Sequence, residues 1–162
     1  MTEPLAHGAT IGILGGGQLG RMLAVAAARL GFRTHVYEPA RHPPAADVAH
    51  MHTSAAYEDN DALYAFATSV DAITYEFENI PTLTIDALED HAPIYPGREA
   101  LRISQDRLVE KAFLQGLGLN TAPYADVPDM TALGAALAKI GVPAILKTRR
   151  FGYDGKGQAR LA

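Results

Sequence analysis

Residues 10–38 read TIGILGGGQLGRMLAVAAARLGFRTHVYE: an apolar run, a glycine cluster, a segment with helical spacing and a second β-rich run. TIGIL at 10–14 suits a buried strand that stops at Gly15. Leu19, Met22, Leu23, Ala26 and Leu30 follow at i, i+3, i+4, i+7 and i+11, so they share one helix face, and that face is expected to cover a sheet. Gly31 stands where a left-handed residue closes a helix. RTHVYE at 33–38 is then a second strand ending in Glu38, and Pro39–Pro44 stops regular structure.

The alternation continues outward from this unit. A helix is expected over Asp59–Thr68, a strand over Ala72–Tyr75, a helix from Pro81 to about Leu88 and a short strand over Ala92–Tyr95. Strands alternating with helices favour a parallel sheet covered on both faces. Pro96-Gly97 is the expected boundary, giving domains 1–96 and 97–162. Beyond it, Ser104 is expected to cap a helix reaching Leu117, a second helix runs over Met130–Ile140 to Gly141, and Pro143–Thr148 forms an apolar strand. A charged glycine loop follows and only a few residues of the next strand, so the second domain reads as an opening portion.

Composition narrows the function classes. At 162 residues the chain holds one domain or one small domain and part of another, and a 48% hydrophobic content fits a folded core. A net charge of −4 argues against a general nucleic-acid binder. With no cysteine there is neither disulfide nor thiolate metal site, which fits a reducing cytoplasmic setting. No apolar stretch approaches the roughly 20 residues of a membrane span, and MTEPLAHGAT at the start lacks the pattern of a secretory signal. The six histidines show no metal-ligand spacing.

Three runs carry chemistry. Gly15, Gly17 and Gly20 satisfy G-x-G-x-x-G between strand and helix, where glycine permits a tight turn and the approach of an anion to the helix dipole. The same glycines also suit a helix that simply packs close to the sheet. Glu38 lies where a dinucleotide fold places its ribose-binding acid. In YEFENIP at 75–81, Glu76 and Glu78 fall on one side of an extended segment, suited to ribose hydroxyls or to a solvated acidic turn. In KTRRFGYDGKGQ at 147–158, Lys147 ends an apolar strand, where burial of its ammonium would be costly without an anion. Arg149 and Arg150 add charge, and Gly152, Gly155 and Gly157 allow backbone to fold over phosphate oxygens; a basic hairpin turn is the plainer alternative. Arg107, in the first turn of its helix, opposes the dipole, as an arginine serving an anion or an exposed one would.

Taken together, GGGQLGRM at 15–22, YEFENIP at 75–81, SQDRLVEKAFL at 104–114 and LKTRRFGYDGKGQ at 146–158 resemble the 5-(carboxyamino)imidazole ribonucleotide synthase family of the ATP-grasp superfamily. The resemblance covers about residues 10–162 and implies an α/β fold: a Rossmann-like parallel-sheet domain, then the beginning of an ATP-grasp domain. It also implies a carbon–nitrogen ligase of de novo purine biosynthesis. ATP phosphorylates bicarbonate to carboxyphosphate, the exocyclic amine of 5-aminoimidazole ribonucleotide takes the carboxyl group, and ADP and phosphate leave. By matching positions, Arg107, Lys147, Gly152, Tyr153, Asp154, Gly155, Lys156, Gly157 and Gln158 would bind ATP. Gln18 and Leu19, through backbone groups of the turn, and Glu76, through ribose hydroxyls, would bind the ribonucleotide.

The cofactors so implied are ATP and Mg2+, the acids that hold magnesium lying in a part this chain lacks. No general base and no metal ligand is assigned here, and the chain alone is expected to be inactive. The resemblance further implies a cytoplasmic enzyme of small-molecule substrates, with no nucleic-acid or membrane partner, and leaves a homodimer open for the complete protein. Three alternatives stand beside it. A formate-dependent glycinamide ribonucleotide transformylase shares the domain plan, although Gln18, Tyr153 and Asp154 favour the carboxylating family. A nicotinamide-dependent oxidoreductase accounts for the glycine motif and Glu38 but leaves YEFEN unexplained. A non-catalytic binding module is the third.

Overall fold

The computed structural model describes residues 4–152 and 154–162. It divides into two compact units, Met1–Leu101 and Arg102–Ala162. In the first, β1 (Thr10–Leu14), α1 (Gln18–Arg29), β2 (Arg33–Tyr37), β3 (Met51–Thr53), α2 (Asn60–Ala67), β4 (Ala72–Tyr75) and α3 (Thr82–Leu88) follow in chain order. The strands form one sheet in the order β3-β2-β1-β4, all parallel. The chain thus steps outward from β1 to β3 and returns to the other side of β1 for β4. That reversal places a crevice at the carboxyl ends of β1 and β4, where open α/β sheets take ligands.

Alternation along the strands sends side chains to two cores. Leu14 and Tyr37 join Leu63, Phe66, Ile73, Ile80, Ile85 and Leu88 beneath α2 and α3, while Ile13 and Val36 meet Ala24 and Ala45 on the α1 side. Each helix obeys a local signal. The Asp59 carboxylate caps α2 by accepting from the Ala62 amide at 3.0 Å, and Gly31, at φ 84°, follows the last turn of α1.

The α1 face expected to cover the sheet does not do so. Leu19, Met22, Leu23 and Leu30 are 40–69% exposed and Ala26 is exposed, whereas Gly20, Ala24 and Ala27 are the buried residues of α1. Small side chains let the helix lie close on the sheet, and the larger ones are turned outward. The expected strand at Ala92–Tyr95 is reduced to a single parallel bridge between Ile73 and Ile94. The three-residue β3 is too short to have shown a periodicity.

After Pro96-Gly97 comes α4 (Arg98–Ser104), whose Leu101 is fully buried. The second unit then holds α5 (Arg107–Gly116), α6 (Met130–Ile140) and the antiparallel pair β5 (Ala144–Lys147) and β6 (Gln158–Leu161). Ser104 is the last residue of α4 rather than a cap. The Asp106 carboxylate caps α5 instead, accepting from the amides of Leu108 at 3.0 Å and Val109 at 3.3 Å.

Candidate functional site

In the first unit the site is built on the paired ends of β1 and β4, where Leu14 stands opposite Tyr75. Gly15 and Glu76 therefore leave the sheet side by side. Helix α1 has no capping side chain of its own, and Glu76 supplies one from across the crevice. Its Oε1 accepts from the Gly17 amide at 2.8 Å and its Oε2 from the Gly20 amide at 3.1 Å. A carboxylate at the positive end of a helix is favoured electrostatically. The glycines are needed for this approach: a Cβ on Gly17 would lie 2.7 Å from Glu76 Oε1, and one on Gly15 would lie 2.4 Å from Glu76 Cγ.

Glu38 closes the other side of the turn. Its Oε2 accepts from the Gly16 amide at 3.0 Å and from the Tyr57 hydroxyl at 3.4 Å, and its Oε1 accepts from Ala40 at 3.1 Å. Burial and the adjacent Glu38 carboxylate push the Tyr57 phenol far above its ordinary range, so it stays a donor. Between the two acids lies a cleft of about 330 Å3, walled further by Gly16, Gly17, His42, Pro43, Pro44 and Phe77. Glu78 is not part of it. The chain turns after Tyr75, so the two-residue alternation that would have put Glu78 beside Glu76 is lost. Gln18 and Leu19 begin α1, are exposed, and stand next to the lining Gly17 without lining the cleft themselves.

The second unit brings Arg107 to the glycine loop. Arg107 Nη2 donates to the Gly152 carbonyl at 2.7 Å and its amide to the Arg149 carbonyl at 3.0 Å. The loop closes between Thr148, whose amide donates to the Gly157 carbonyl at 2.8 Å, and Gly157, at φ 66°, where a Cβ would lie 2.6 Å from Thr148 Oγ1. Lys147 and Gln158 pair across β5 and β6 at its base, and Asp154, Gly155 and Lys156 are exposed on it. Tyr153 lies outside the described residues. Lys147 is exposed rather than buried, because β5 pairs only with β6 and its outer face, with Ile145 58% exposed, is uncovered.

Sequence reasoning missed the work of Glu38 as an anchor of the turn, the lining by His42, Pro43 and Pro44, and the role of Asp106. An acid directly before a helical stripe was a usable signal for Asp106. Nothing local marked the others. Among the described residues no group of three His, Asp or Glu side chains could hold a metal ion.

Comparison with known proteins establishes the family and the fold. The family described as the ribonucleotide synthetase preATP-grasp domain matches residues 8–105, and the ATP-grasp domain matches 112–162. The N5-carboxyaminoimidazole ribonucleotide synthase of Brucella melitensis is 54% identical over 98% of this chain, which spans 44% of that protein. An ADP complex of an N5-carboxyaminoimidazole ribonucleotide synthetase superposes with a TM-score of 0.91 at 42% identity, over 99% of this chain and 43% of that one. The Aspergillus clavatus N5-carboxyaminoimidazole synthase in complex with ADP and 5-aminoimidazole ribonucleotide gives 0.81 at 26% identity, over 95% of this chain and 40% of that one. This chain therefore spans less than half the length of these relatives. On its sheet, its glycine turn and the start of its second unit, the chain belongs to the ribonucleotide synthetase preATP-grasp family, continued by the opening of an ATP-grasp domain.

Proposed function

We propose that the complete protein carrying this chain uses ATP to carboxylate 5-aminoimidazole ribonucleotide with bicarbonate, giving 5-(carboxyamino)imidazole ribonucleotide, ADP and phosphate. The observation that carries the reading is the posture of Glu76. A carboxylate has about four acceptor directions, and the amides of Gly17 and Gly20 use one on each oxygen. One on each oxygen is left, which suits the two hydroxyl hydrogens of a ribose. The first four amides of a helix have no acceptor within it; Glu76 takes those of Gly17 and Gly20, leaving Gln18 and Leu19 to offer theirs to the same ligand.

A dinucleotide fits poorly, since the amides that would hold its pyrophosphate are the ones that Glu38 and Glu76 occupy. In the second unit Arg107, Lys147 and the loop from Gly152 to Gln158 would bind ATP. Cationic side chains and loop amides there stabilise charge on the phosphoryl group passing to bicarbonate, which lacks a leaving group until one oxygen is phosphorylated. Magnesium is assigned to none of the described residues. The domains are taken as 1–96 and 97–162 and the setting as cytoplasmic.

Steady-state kinetics of the complete protein, with each substrate varied in turn, tests the allocation of the sites. Lys147→Ala is expected to impair ATP use well beyond Glu76→Ala. Glu76→Ala is expected to weaken ribonucleotide binding by about 1.5 to 3 kcal/mol, the worth of a hydrogen bond to a charged group. A raised KM for ATP in Glu76→Ala with an unchanged KM for the ribonucleotide would reverse the assignment. Tight NADH binding with no response to the ribonucleotide would remove it.

A further inference from the structure

We propose that Asp106 and Arg149 form a positioning pair that sets the nucleotide loop on the amino end of α5, an inference that rests on the ATP-binding reading of that loop. Three successive residues each hold the loop. Gln105 Oε1 accepts from Arg150 Nη2 at 2.6 Å, Asp106 pairs with Arg149, and Arg107 donates to the Gly152 carbonyl at 2.7 Å. The central contact is a fork: Arg149 Nη2 lies 2.8 Å and Nε 3.1 Å from Asp106 Oδ2. Arg149 is thereby committed to the protein, and its charge serves the loop's placement rather than a phosphate.

Helix capping does not account for the pair. Leu108 and Val109 both donate to Oδ1, which also accepts from Arg149 Nε at 3.2 Å, while Oδ2 accepts from Arg149 and from neither helix amide. The Asp106 side chain is 16% exposed and its carboxyl is held below the ordinary carboxylate range, first by Arg149 and then by the two helix amides. Asn caps a helix as well as Asp does, but its amide nitrogen would face the guanidinium as a second donor. The two roles of Asp106 are therefore separable by one substitution. Arg149→Lys keeps the charge and loses the planar fork. Asp126, 3.7 Å from Arg149 Nη1, is too far to replace Asp106 in a two-pronged contact.

The test uses the full-length protein, with amide hydrogen exchange read without nucleotide and ATP affinity read by calorimetry with Mg2+. Asp106→Asn is expected to speed exchange in residues 150–152 and 154–157, leave exchange in the last turn of α5 unchanged, and weaken ATP about tenfold, the scale of one charge-assisted contact. Arg149→Lys is expected to do the same, and the double variant to be no worse than either. Loop exchange and ATP affinity within about twofold of the unmodified protein in Asp106→Asn would overturn the inference, as would exchange in α5 that rises as much as in the loop. An unmodified protein that binds no ATP overturns the functional reading and this inference with it.

Discussion

His35 sits in β2 only 3% exposed, with Nδ1 2.7 Å from Ser69 Oγ and Nε2 2.8 Å from Thr53 Oγ1. The Ser69 hydroxyl spends its proton on the Phe66 carbonyl at 2.7 Å, so His35 donates from Nδ1 and accepts at Nε2, which is the neutral ring. Burial, and then His52 and His50, lower its pKa from 6.5 to about 4. The unfolded chain consequently binds the proton first as pH falls. Stability is expected to be full above about pH 6.5 and to decline toward pH 4 by at most about 1.4 kcal/mol per pH unit. Urea midpoints measured between those limits should slope for the unmodified protein and flatten for His35→Gln; equal slopes would assign the effect elsewhere. The sequence showed His35 only as one histidine of six. Glu76 was legible because its strand-end position pointed to a crevice, while the amides that hold it come from 59 and 56 positions away and leave no local trace.

Among the elements, α1 separates what a pattern states from what it omits. Hydrophobic periodicity says that a face is apolar, not which surface it meets. Ala24 is fully buried and Met22 is 66% exposed, so their responses should invert the expectation from side-chain size. Ala24→Leu is expected to cost about 1–3 kcal/mol by overpacking, and Met22→Lys to stay within about 0.5 kcal/mol. Thermal unfolding of both variants checks this; a Met22→Lys loss as large as that of Ala24→Leu would mean the outward face is covered in solution. Helices α2, α3 and α6 lay where caps, proline and glycine stops put them, because those signals act within a turn of the backbone. The start of α5 was misplaced by two residues, since Ser104 and Asp106 offer equivalent local chemistry and the pairing with Arg149 favours the acid.

At the scale of the molecule the two units differ in how much they bury. The first has cores on both faces of its sheet, whereas α5 contains no buried residue and α6 buries only Ala136. Native-state hydrogen exchange of the chain should therefore show β1, β2 and β4 protected most strongly and α5 and α6 opening at far smaller free energy. Equal protection across both units would contradict it. Sequence alone determined the alternating α/β plan, the glycine turn, the charged loop and the family, because strand and helix periods, turn residues and motif spacings are written in neighbouring positions. Tertiary structure alone decided which face of α1 is covered, why Gly15 and Gly17 must lack side chains, that Glu78 stands apart from Glu76, and that Arg149 belongs to Asp106. Each of these depends on close approach between residues distant in the chain, where packing distance and the supply of hydrogen-bond donors, not local pattern, select the arrangement.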